Sequence, residues 1–291
     1  TKSKSKGATC TTVAAVMLLA ASQALAGTGT TTSGGNTVLA GADYKSCYFD
    51  DTSKNVVCGD ASTTAADVVD RKPGKSVAIG LSAKTAGESN VALGANSSAS
   101  STSGLAIGSN SKAHNNQTVA IGERANALNE ADIAIGKAAG ENATSTHNEG
   151  RNIAVGEEAV KDAVGVNNVI GIGTGAAKGI SGSHVIAIGT DANQGVSDVN
   201  QVVAIGYKSS AETLQSVAIG TSASAKQIGA LALGNSSNAV TESSVAVGRF
   251  AQASGPNSIA VGGGRSAAQS AQAGGVYSIA VGAGAEATGP G

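Results

Sequence analysis

Fourteen copies of one short pattern dominate this sequence. Val77-Ala78-Ile79-Gly80 recurs as Val91-Ala92-Leu93-Gly94, Leu105-Ala106-Ile107-Gly108 and onward to Ile279-Ala280-Val281-Gly282. The glycines fall at 80, 94, 108, 122, 136, 156, 173, 189, 206, 220, 234, 248, 262 and 282. Their spacing is 14 residues, except for units of 16, 17 and 20 residues between 136 and 206 and between 262 and 282. A fixed period that tolerates insertions is the signature of a solenoid.

The pattern also sets which side chains face which way. The residues three before and one before the glycine are Val, Ile or Leu in all fourteen copies, and Ala stands between them in thirteen, with Gly171 in the other. Period-two alternation means a short strand, branched side chains on one face and Ala on the opposite one. Three residues after the glycine stands Ala or Ser in every copy but one, which has Arg265. Each unit therefore reads strand, glycine turn, strand, turn. A 14-residue coil closes into a flattened ring with little room inside. Small residues such as Ala78 and Ala83 fill that space, which puts Val and Ile on the outer wall of the first strand. Fourteen coils stacked at about 4.8 Å span about 62 Å and carry two rows of branched side chains. A stripe of that length on an isolated chain is an association surface. It predicts a parallel homo-oligomer with the rows on a common axis, built from Val77, Ile79, Val91, Leu93, Val119, Ile121, Val217, Ile219 and their equivalents. The opposite arrangement, Val and Ile inside and Ala outside, would make a monomeric solenoid and stays open at this point. The pattern alone does not fix the number of chains.

Composition narrows the field further. The 291 residues include 41 Gly, only 2% are aromatic, 13% are charged, and the net charge is −1. A large jigsaw core normally uses aromatics and Leu, so two ordinary globular domains are disfavoured. The near-neutral balance gives no basic footprint for nucleic acid, and the low charge argues against a disordered chain. A coiled coil is excluded because the apolar residues sit two apart and a glycine interrupts every unit. The GGxGxD runs of a calcium-binding nonapeptide array are absent. The six-residue period of a hexapeptide acyltransferase does not divide 14.

Residues 1–26 read as a secretory signal: Lys2, Lys4 and Lys6, then the apolar run Val13 to Ala21, then Ala24-Leu25-Ala26 as a cleavage site. That run is shorter than the roughly 20 residues of a spanning helix. Removing the leader leaves two cysteines, Cys47 and Cys58. In an exported chain such a pair predicts a disulfide, here clasping a hairpin with a polar turn. A redox or metal pair would need a CxxC spacing or a nearby His. Residues 27–75 show no repeat and read as an N-terminal cap for the first coil, a part that solenoids need.

The repeated Ser76-Val77-Ala78-Ile79-Gly80, and the longer Ser216-Val217-Ala218-Ile219-Gly220-Thr221-Ser222-Ala223-Ser224-Ala225, resemble the YadA-like head of trimeric autotransporter adhesins. The resemblance covers residues 76–291. It implies an all-β, left-handed parallel β-roll of about 14 coils, assembled as a parallel homotrimer. It further implies display on the outer membrane of a Gram-negative bacterium, a part in virulence, and attachment to host cells or to matrix proteins such as fibronectin, laminin or collagen. The neck motif, heptad stalk and C-terminal membrane strands of such proteins are not recognisable in this sequence. The expectation is an excised head whose membrane attachment is a C-terminal anchor outside it.

No catalytic constellation emerges. His114, His147 and His184 lie 33 and 37 residues apart in turns, Gly74-Lys75-Ser76 has Val69 where a phosphate loop needs Gly, and GxSxG is absent. The expectation is a non-enzyme with no cofactor and no metal. The alternative, an enzyme on a trimeric β-helix such as an acyltransferase, needs a His and a carboxylate facing each other across subunits, and the repeat supplies neither. The long units 137–152, 190–202 and 263–278 are expected to leave the solenoid as surface loops, where partners commonly bind. His147, Asn148, Glu149 and Arg151 of the first are the candidate ligand loop.

Overall fold

The structure, a computed structural model, describes residues 75–145 and 150–291 throughout, and upstream of these the strands Thr30–Ser33, Asn36–Leu39, Ser46–Asp50, Asn55–Gly59 and Thr64–Ala66. The signal segment and His147, Asn148 and Glu149 lie outside the described residues. Every described coil contributes its first strand to one 16-stranded sheet, parallel except at its N-terminal edge. Register is strict: Val77 pairs with Val91, Ala78 with Ala92 and Ile79 with Leu93, and so on to Ile259 with Ile279. The second strands form two smaller sheets, from Thr64–Ala66 to Asn126–Ala127 and from Ser210–Ala211 to Glu286–Ala287. The fold is an all-β parallel solenoid, and no α-helix occurs among the described residues.

In the 14-residue coils the interior is made of small residues, whereas the long coils also bury Val160, Val166, Val169, Ile180, Val185, Val199 and Val202. Ala78, Ala92, Ala106 and Ala120 of the first strands are fully buried, as are Ala99, Ala113 and Ala127 of the second. Val77 and Ile79 alternate with them and point outward. The arrangement with Val and Ile inside is thereby excluded. Serine replaces alanine after several glycines and needs a partner there. Ser97 and Ser111 each donate to the carbonyl of the glycine three residues earlier, both at 2.9 Å. Gly171, the one non-alanine between the branched residues, also has a steric cause. A Cβ at that position would lie 2.6 Å from Val160 Cγ2.

Segments of a polar ladder run along one corner of the coil, at the residue just before the first branched position in several coils. Asn55 Oδ1 accepts from Ser76 N–H at 2.8 Å, Ser76 Oγ from Asn90 N–H at 3.1 Å, and Asn90 Oδ1 from Gly104 N–H at 2.7 Å. Asp132 Oδ1 likewise accepts from Asn152 N–H at 2.8 Å, and Asn152 Oδ1 from Val169 N–H at 3.0 Å. Each side chain thus satisfies a buried backbone donor of the next coil, whose loss would cost about 1–3 kcal/mol.

Asp132 carries this role as a buried carboxylate. Burial pushes its pKa above 3.8, against the hydrogen bonds from Asn152 and Asn129 that pull it down. The folded state therefore holds this proton more tightly than the unfolded chain, and stability falls as pH rises above that value. Asp132→Asn removes this slope. It also places an amide donor against Asn129, whose N–H and Nδ2 now donate to Asp132 Oδ2 at 3.0 and 2.8 Å. The variant is expected to lose about 1–3 kcal/mol, measured as urea midpoints across pH 4–7. The same midpoint and pH slope in both proteins would show that Asp132 does not bear this part.

Two sequence expectations are corrected. The ladder starts earlier than residue 76, because Asn55–Gly59 pairs in parallel with the strand Val77–Ile79 and Thr64–Ala66 with Lys84–Ala86. Val56-Val57-Cys58-Gly59 is therefore a coil strand within the segment 27–75, bringing the solenoid to about 15 turns. The long units between 136 and 206 do not all leave as loops either. Where a regular coil has its second strand, they run as successive turns in which alternate residues take positive φ, as at Glu158 (+55°), Val160 (+55°) and Asp162 (+56°). The N–H groups of Glu158, Val160 and Asp162 donate alternately to the preceding, following and preceding coil, at 2.8–2.9 Å. The extra residues also lengthen the first strands to Gly182–Ile188 and Val199–Ile205. The insertion after Gly262 does exit as a loop, with exposed Arg265 and a single 3-10 turn at Ala267–Gln269.

Candidate interaction face

The outer wall of the large sheet carries every residue expected at a subunit axis. Val77, Ile79, Val91, Val119, Ile121, Val217 and Ile219 are half-buried and Leu93 is exposed. All lie on the outward side of one ladder, in two unbroken rows from Val56 and Cys58 to Ile279 and Val281. At the last coil, where only one neighbouring coil covers them, Ile279 and Val281 are 63% and 67% exposed. The alternation of each first strand turns only its central Ala or Gly inward, so the fold exposes an apolar stripe far longer than an isolated chain normally tolerates.

At the N-terminal edge the parallel order ends with an antiparallel strand. Ser46–Asp50 pairs with Asn55–Gly59, with Cys47 opposite Cys58 and Tyr48 opposite Val57. Cys58 is disulfide-bonded. It occupies the row that Ile79 continues in the next coil. An antiparallel return strand is one way to blunt the end of a parallel ladder.

The long coils also carry charge. Arg124, Glu141, Lys161, Glu158 and Lys178 form a chain of ion pairs across successive coils, with Lys161 3.1 Å from Glu141 and 3.0 Å from Glu158. Hydrogen bonds from Lys178 and Lys161 lower the Glu158 pKa to about 2, and those from Glu158 and Glu141 raise that of Lys161. The contribution of Glu158 is thus present above 4.5 and lost as pH falls toward 2. Arg151, the described member of the candidate loop, is exposed at a turn with φ +46°, its N–H donating to the Glu130 carbonyl. His114 is half-buried, its pKa lowered by burial and by Lys112, and His184 is exposed. Among the described residues no group of three His, Cys, Asp or Glu could hold a metal ion, and no helix is long and apolar enough to cross a membrane.

A parallel solenoid with an alanine interior and a continuous aliphatic outer wall defines the class of repeat to which the chain conforms. The family model for the YadA head domain repeat (2 copies) matches residues 75–97, 91–111, 99–125, 113–139, 203–223, 225–251, 242–264 and 270–291. The chain belongs to the YadA head domain repeat family, an adhesin family rather than an enzyme family. The unmatched stretch 140–202 coincides with the coils that exchange their second strand for turns. No curated protein matches the chain.

The sequence reading missed the polar corner ladder and the Val56-Val57-Cys58-Gly59 coil. Signals for both were present. Most copies carry Ser, Asn, Thr or Asp just before the first branched residue, and Gly59 follows branched Val56 at the usual offset.

Proposed function

We propose that the chain is the head of a surface adhesin that assembles as a parallel homotrimer through its outward Val and Ile rows. The observation that carries this is the alternation of the first strands, which sets 28 branched side chains of the fourteen Val-Ala-Ile-Gly-type copies on one outer wall. Val77, Ile79, Val91, Leu93, Val119, Ile121, Val217 and Ile219 belong to the trimer core. The assembled head is displayed on the outer membrane of a Gram-negative bacterium, where it contributes to virulence. It holds host cell-surface or matrix proteins of the fibronectin, laminin or collagen type, with three copies of each surface acting multivalently. Within residues 27–75 the part that precedes the Asn55–Gly59 coil strand caps the N-terminal end, and a Cys47–Cys58 disulfide clasps that cap. His147, Asn148 and Glu149 are the lateral ligand-binding positions, and Arg151 follows them at the edge of the aliphatic face.

The test is the molar mass of the chain by light scattering, followed by its binding to immobilised collagen, laminin and fibronectin. A mass of three chains with saturable binding to one of them is expected. A monomer would overturn the assembly, and a trimer that binds none of the three would overturn the ligand class.

A further inference from the structure

The Val and Ile rows repeat in every coil, so they pack equally well when one chain slides along another by a whole coil. Register between chains must come from something that changes from coil to coil. The two edges of the aliphatic face supply it. The entry edge lies five and six residues before each glycine, and the exit edge one and two residues after it. On the entry edge Glu130 is followed in the next coil by Arg151, whose N–H donates to the Glu130 carbonyl at 3.1 Å. On the exit edge the signs are reversed: Lys137 is followed by Glu157, 3.5 Å away. Another coil carries Glu242 at entry and Arg249 at exit. Neither has an ion-pair partner among the described residues, although Arg249 lies 4.8 Å from the centre of the Phe250 ring. All six side chains belong to exposed residues. No described coil carries like charges on its two edges.

We propose that the entry edge of one copy of this chain meets the exit edge of the next. Glu130, Arg151 and Glu242 then pair with Lys137, Glu157 and Arg249 of a second copy in the same coil, and lock the register of the parallel assembly. The inference rests on the trimer proposed above. Rotation about an axis along the solenoid brings the entry edge of one copy against the exit edge of its neighbour. The two edges of a coil are half a coil apart, about 2.4 Å in height, which these long side chains span. A slip of one coil sets Arg151 against Lys137 in one direction and Glu130 against Glu157 in the other, so both errors meet like charge. An antiparallel arrangement would face entry edge with entry edge and lose the complementarity. Rim charges of this kind add little affinity but discriminate strongly between arrangements.

The test uses the full chain in three forms: wild type, Glu242→Cys with Arg249→Cys, and Glu242→Cys with Thr221→Cys, which lies two coils away. Under mild oxidation the first pair is expected to give covalently linked trimers on a denaturing gel, at least about tenfold more than the second. A readout without new cysteines accompanies it. Arg249→Glu should raise the concentration at which the trimer half-dissociates about tenfold, and adding Glu242→Arg should restore it. A wild-type trimer with equal linking in both pairs, or with no restoration, overturns the edge pairing while leaving the trimer intact. A wild-type monomer overturns the trimer and this inference with it.

Discussion

Gly108→Ala is expected to cost about 3–5 kcal/mol, from backbone strain and overpacking acting together. Gly108 has φ +124°, a region that L side chains rarely adopt, and an added Cβ would lie 2.5 Å from the Gly122 carbonyl oxygen and 2.6 Å from its carbon. The obstacle is backbone of the next coil, so no rotamer change relieves it. Moving it would lengthen the Gly122 N–H bond to the Ile107 carbonyl, now 2.7 Å. Because coils touch only their neighbours, damage at one rung divides the ladder in two. Gly195→Ala is the control. Its φ is +69° and nothing lies within 4 Å of an added Cβ, so only the left-handed conformation is penalised, by about 1 kcal/mol. Urea unfolding of both variants checks the contrast. Equal losses would mean that the close coil approach is not what requires glycine.

The same geometry explains what could be read from the sequence. Where spacing is 14, the period-two alternation and the small-residue column determine which wall is inside, and Ala78 and Val77 lie as the pattern demands. The reading failed where one side chain departs from the column. Val57 is buried where the other first strands have alanine or glycine, and 21 residues separate Gly59 from Gly80, so the first coil does not look like a repeat. In the long coils, length alone suggested loops. The chain instead alternates left- and right-handed turns, with non-glycine residues such as Val160 and Asp162 at positive φ. Composition does not announce that conformation, because it is imposed by hydrogen bonds to the coils on either side. The compensation of Gly171 for Val160 is likewise a contact between different coils, invisible without the fold.

Replacing Val217 and Ile219 together by Asp is expected to abolish assembly while leaving the coil folded. Both side chains are half-buried on the outer wall, and neither fills the interior, which Ala218 and Ala223 occupy. The isolated chain therefore loses little packing when they change. In a trimer each substitution is made three times around one axis. Six aliphatic side chains, each worth about 1.5–3 kcal/mol when fully buried, give way to six carboxylates, a swing of at least about 10 kcal/mol. Protonation could relieve the repulsion only in acid, so the dissociated form should hold at neutral pH. Ser224→Asp on the second strand of the same coil serves as the comparison, since its side chain faces away from the aliphatic wall. Light scattering should report single chains for the double variant and three chains for Ser224→Asp, with circular dichroism unchanged in both. Three chains in the double variant would place the interface elsewhere on the solenoid. Loss of the circular dichroism signal would instead show that the aliphatic wall is needed for folding and that the chain has no stable existence outside its assembly.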